Sequence, residues 1–178
     1  MKRYIFSLFI EPADSAFFLK IPGLILFETT AALTALRQQG FADIFSAAVL
    51  ELSLLFLSDS DLKHNIIPRR YIFVPAICRV ISLTMTEHLP GVLSGIGAGA
   101  AIAFFVWLIS QTAQRGFGGG DIRLFALAGL YLGLWHGLIC ILLSCVIGLV
   151  AAAAIHRTEF PFGPAISASI VICLIVFS

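Results

Sequence analysis

The sequence predicts an all-α fold, a polytopic membrane helix bundle of about six transmembrane or membrane-embedded helices. Three observations predict it. Of the 178 residues, 60% are hydrophobic and only 12% charged, about half the charged share of a soluble domain, and the mean hydropathy is +1.03. The apolar residues gather into runs approaching the ~20 residues that cross a bilayer as a helix. Between those runs stand Pro68, Pro90 and Pro161, where helices are expected to end.

The chain starts "MKRYIFSLFIEPADSA", which imitates a signal peptide with Lys2 and Arg3 ahead of a short apolar core. The core is at the lower limit of length, so the segment reads as an uncleaved anchor or membrane-surface element. Lys20 and Arg37 are too sparse to fix how often residues 1–40 cross. From there the expected spans are 42–58, 71–86, 91–110, 122–135, 138–155 and 164–178. Asp43 and Glu51 interrupt the first span and Arg79 the second. Several are short, which implies tilt or partial embedding. Gly91, Gly95, Gly99 and Ala103 recur every fourth residue, as do Gly129, Gly133 and Gly137, stripes that let helix backbones approach closely in a bilayer.

Charge orients the bundle. Lys63, His64, Arg69 and Arg70 cluster before the second span, Arg115 precedes the fourth, and His156 and Arg157 precede the last. The intervening turns "TEHLP" (86–90) and "WHG" (135–137) carry neither Lys nor Arg. All basic loops therefore fall on one face, the cytoplasmic one by the positive-inside rule. The net charge of +1 and the lack of a basic tract argue against a nucleic-acid partner. Cys78, Cys140, Cys145 and Cys173 lie in apolar runs with no CxxC pair and read as small core side chains. His64, His88, His136 and His156 form neither HExxH nor an i,i+4 pair, and no serine sits in a GxSxG elbow. No metal site or cofactor is expected, and serine catalysis has no support.

The acidic residues number ten, most of them near span ends where water reaches them. Two have more deliberate surroundings. Asp61 opens "DLKHNIIP" (61–68), and Asp121 closes "GGGD" (118–121), both on the basic face. Alone, Asp121 reads as a helix N-cap. Gly118, Gly119 and Gly120, however, remove every side chain from its approach, which suits an extended peptide lying beside a carboxylate. Two carboxylates brought together cannot both ionise easily, so the pair supplies a base and an acid at once. One can take a proton from water while the other hydrogen-bonds a scissile carbonyl.

These stretches resemble the type IV prepilin leader peptidases, membrane aspartic peptidases with a GxGD motif. "DLKHNIIP" is similar to the family's first catalytic block, "GGGDIRLFALAGLYLG" (118–133) to its GxGD block, and "PFGPA" (161–165) to the motif leading into its last span. The resemblance divides the chain into a divergent membrane-associated segment, 1–41, and a peptidase-like transmembrane domain, 42–178. It implies that Asp61 and Asp121 are the catalytic pair, and that Gly118, Gly120, Arg123 and Pro68 shape the site or bind substrate. Arg123 takes the family's usual Lys position, either orienting Asp121 or meeting lipid head groups. Pro68 falls seven residues after Asp61, as in the family's first block, so the resemblance implies Asp61 rather than Asp59 as the first aspartate.

The implied substrates are prepilins or pseudopilins, from type IV pilus or type II secretion systems. They would be cut after a Gly that ends a short basic leader, at the cytoplasmic face of the bacterial inner membrane. The resemblance is to a peptidase-only form, without the N-terminal domain of paired CxxC motifs linked to N-methylation. A presenilin-like protease is disfavoured, because Asp61 follows Ser and "PAI" (164–166) only partly matches that class's Pro-Ala-Leu motif. A non-catalytic scaffold, a transporter subunit or an inactive homologue is the alternative, in which Asp121 merely caps a helix.

Overall fold

Helices account for nearly all of the described residues, which in this computed structural model are 40–64, 66–112, 118–155 and 162–177. They are α1 (Phe41–His64), α2 (Arg70–Thr86), α3 (His88–Thr112), α4 (Gly119–Ile155) and α5 (Gly163–Phe177). Three are long and apolar enough to cross a membrane, over Phe41–Leu62, His88–Thr112 and Gly119–Ala153. The all-α membrane bundle is the expected fold class, although not all of the six expected crossings have that length. The N-terminal segment up to residue 39 lies outside the described residues, as do Arg115, His156, Arg157 and Pro161.

Local sequence sets the helix limits. Pro68 and Arg69 lend their carbonyls to the first amides of α2, with Tyr71 N–H to Pro68 O at 3.2 Å and Ile72 N–H to Arg69 O at 3.0 Å. At the other end only Glu87 separates α2 from α3. The corner is sharp enough to hold His88 at φ 59°, a left-handed conformation that a side chain tolerates poorly. Pro90 therefore lies in the first turn of α3 rather than between helices, a position where its missing N–H costs nothing.

The long α4 is two limbs. Gly133 has φ 76° and ψ −177°, a backbone region open essentially to glycine alone. An added Cβ on Gly137 would lie 3.5 Å from the Gly129 Cα, whereas eight residues of straight helix span about 12 Å. The chain thus doubles back at Gly133, two residues before the expected turn at 135–137. Gly133 belongs to the turn and not to a packing stripe.

The other small residues do serve close packing. A Cβ on Gly99 would stand 2.8 Å from the Ala126 carbonyl, and one on Gly129 would stand 2.9 Å from the Gly99 Cα. Backbone thus meets backbone between α3 and α4. Around this contact Leu50, Leu57, Ile102, Phe125, Ile166 and Ile170 are wholly buried. Phe73, Ile77, Leu93, Phe104, Leu142 and Leu149 face outward, as lipid contact requires. Cys140 and Cys173 are in the core as expected, but Cys145 is exposed.

A polar knot ties α1, α2 and α4 at the end of the bundle near Gly133. Asp43 accepts from Arg79 Nη1 at 2.8 Å and from the Ser82 hydroxyl. The Arg79 guanidinium lies over the Tyr131 ring at 5.3 Å. The Tyr131 hydroxyl reaches the carbonyls of Ser46 at 3.0 Å and Pro75 at 2.9 Å.

Candidate active site

The opposite end of the bundle gathers the chemistry. Helix α1 runs six residues beyond its expected end at Ser58, so Asp61 projects from its final turn and is only 6% exposed. The carboxylate is held from α5, where the Gly163 N–H donates to Asp61 Oδ2 at 2.8 Å. Gly163 opens that helix, and a helix N-terminus offers both unsatisfied N–H groups and positive partial charge.

Asp121 is treated in a similar way. It is the third residue of α4, not the residue before it, and its Oδ2 accepts from the Gly118 N–H at 3.1 Å. This is the reach-back half of a capping box, so capping is part of its role from within the first turn. The charge of Asp61 reaches Asp121, so two groups sixty positions apart in sequence lie at the same end of the bundle. Each has its Oδ2 held by a glycine N–H, and among the described residues no hydrogen-bond partner is seen at either Oδ1.

The glycines of "GGGD" divide the work. Gly118 and Gly119 are exposed, and a Cβ on Gly119 would meet nothing within 4 Å. Among the described residues, nothing fills that side of Asp121. Gly120 is different, because a Cβ there would stand 2.9 Å from the Ile67 Cβ. Its bare Cα lets the α1–α2 loop pack against the start of α4. The Ser60 hydroxyl fixes the same loop by donating to Ile66 O at 3.0 Å.

Pro68 sits in this loop, half-buried, and its carbonyl accepts from the Tyr71 N–H at the start of α2. Arg123 is exposed on α4, and the hydrogen-bond donor at Asp121 is Gly118 instead. Asp59 lies two residues before Asp61, about 200° around the helix, and is half-buried. Sequence reasoning missed the roles of Gly163 and Ile67. The signal for the first was a Gly-Pro pair opening an apolar helix within "PFGPA", a place where a bare N–H is available to an acceptor.

What the arrangement can do follows from its charges. Among the described residues neither Asp61 nor Asp121 has a cationic partner; each faces an N–H and the other carboxylate.

A model of the type IV leader peptidase family matches residues 48–153. A prepilin leader peptidase/N-methyltransferase of Bacillus subtilis (strain 168) is 34% identical over 137 residues, 71% of this chain and 53% of that protein. One of the same description from Xanthomonas campestris pv. campestris is 29% identical over 131 residues, covering 67% of this chain and 46% of its own. The chain spans about half the length of these curated relatives. No solved structure matches it. Asp61 and Asp121 both fall inside the matched segment, and Gly163 lies ten residues past its end.

Proposed function

We propose that this chain, which belongs to the type IV leader peptidase family, is an aspartic endopeptidase that removes the short basic leader of prepilins or pseudopilins. The observation that carries the reading is that Asp61 and Asp121, each held by the N–H of a glycine at a helix start, lie near enough for the charge of one to act on the other. The ionised member takes a proton from water, and the hydroxide formed attacks the scissile carbonyl carbon. The protonated member hydrogen-bonds the carbonyl oxygen and stabilises the charge growing there. Collapse of the tetrahedral intermediate breaks the C–N bond, and the pair returns a proton to the leaving amine. Cleavage should then follow a bell-shaped pH profile whose two limbs belong to the pair jointly.

The cut is placed after a Gly at the cytoplasmic side of the bacterial inner membrane. Support for the side comes from His64, Arg69, Arg70 and Arg123, all exposed around the aspartates, as cytoplasmic ends of spans tend to be basic. Exposed Gly118 and Gly119 give an extended substrate room beside Asp121.

The test is leader removal from a co-expressed prepilin, followed as a mobility shift on a gel. Wild type should process it, and Asp61→Asn and Asp121→Asn should each leave it full length. Processing by either variant would return the chain to the scaffold reading.

A further inference from the structure

The family's two aspartates account for the chemistry but not for what aligns them. Asp61 depends on a residue 102 positions further along the chain. That residue has no freedom to be anything but glycine. A Cβ on Gly163 would stand 2.6 Å from Asp61 Oδ2, 2.9 Å from its Cγ and 3.1 Å from its Cβ. The obstacle is a short side chain buried in the bundle, which cannot swing away as the tip of a lysine would. The next residue, Pro164, has no N–H to offer, so the donor available to Asp61 from the start of α5 is that of Gly163.

The place of Gly163 is itself fixed. Phe162 precedes it and packs on the core, while its carbonyl closes the first turn of α5 by accepting from Ile166 N–H at 3.1 Å. The Phe162 ring lies so close over Gly148, on the second limb of α4, that a Cβ there would collide with it. A line of contacts therefore runs from Gly148 through Phe162 and Gly163 to Asp61.

We propose that Gly163 is a positioning residue for the aspartate pair, and that Phe162, seated on Gly148, sets where its N–H points. The kinetic arm of the test rests on the peptidase reading, and the spectroscopic arm does not. In the full chain labelled with 15N-glycine in micelles, Asp61→Asn is expected to move the Gly163 amide resonance and leave Gly95 and Gly99 in place. Gly148→Ala should move the same resonance from a distance. An unmoved Gly163 signal in Asp61→Asn overturns the proposal.

Kinetically, Gly163→Ala should lower kcat about a hundredfold with KM nearly unchanged, because misplacing a catalytic group by about 1 Å costs that much. Replacing the Gly163 amide with its glycolate ester removes the N–H hydrogen and adds no Cβ. It should lower kcat about tenfold, the worth of one hydrogen bond to a charged group. An ester chain as fast as wild type also overturns the proposal, since a merely structural glycine would tolerate it. If the wild-type chain cleaves no leader while Asp61→Asn still moves Gly163, the peptidase reading falls and the positioning contact stands.

Discussion

The two ends of the bundle treat the same side chain in opposite ways. Near the Gly133 turn, Asp43 is given a cation, Arg79 at 2.8 Å, with the Ser82 hydroxyl on the same oxygen. Its charge is neutralised, and three helices are tied by the result. At the other end Asp61 and Asp121 are given backbone N–H groups and each other. A carboxylate paired with a guanidinium serves as a tie between helices, whereas among the described residues Asp61 and Asp121 take their hydrogen bonds from backbone N–H groups alone. The contrast separates an aspartate that ties helices together from the pair proposed to react.

The largest effects should come from removing a carboxylate at the reactive end. Asp61→Asn or Asp121→Asn is expected to lower leader cleavage at least about a thousandfold and leave the thermal unfolding midpoint in detergent little changed. The reverse pattern should hold at the tying end. Asp43→Asn or Arg79→Met should cost about 2 kcal/mol of stability, read as a lower unfolding midpoint, with cleavage per folded molecule kept. The double variant should lose less than the sum of the two, as groups that satisfy one another do. A strong loss of kcat from Asp43→Asn at full folding would break the contrast.

Between these extremes lies the joint that brings the reactive end together. Gly120→Val would thrust a branched side chain against Ile67 and part the α1–α2 loop from the start of α4. About a tenfold fall in kcat is expected from that shift. Gly119→Ala, whose Cβ meets nothing in the protein, should leave the unfolding midpoint unchanged and raise KM, because the added methyl enters the room an extended substrate would use. The pair of measurements separates packing at Gly120 from clearance at Gly119.

Much of this contrast was legible in the sequence. The limits of α2, expected at 71–86 and found at Arg70–Thr86, follow from Pro68 and the basic cluster, which are local signals. That Asp61 and Asp121 share one end of the bundle is what the placing of the basic loops on one face leads one to expect. What escaped detection was long-range or ambiguous. A glycine at i+4 spacing reads equally as a packing stripe or a turn, so Gly133 was assigned to the wrong one. Asp43 and Arg79 read only as interruptions of two spans, since nothing local says that they meet across 36 residues. The role of Gly163 is hidden in "PFGPA", because the acceptor of its N–H, Asp61, lies on another helix.

The smallest expected effect is also the sharpest check on which α1 carboxylate belongs to the reactive end. Asp59 and Asp61 are two residues apart, one half-buried and one almost fully buried. A step of two residues turns about 200° around a helix, so the Gly163 N–H can serve one of them and not both. It serves Asp61. Asp59→Asn should therefore alter kcat/KM less than about threefold, measured beside Asp61→Asn on the same prepilin. If Asp59→Asn were the inactive variant, the N–H of Gly163 would be holding a structural aspartate. The α1 member of the reactive pair would then lie on the opposite side of the helix from α5.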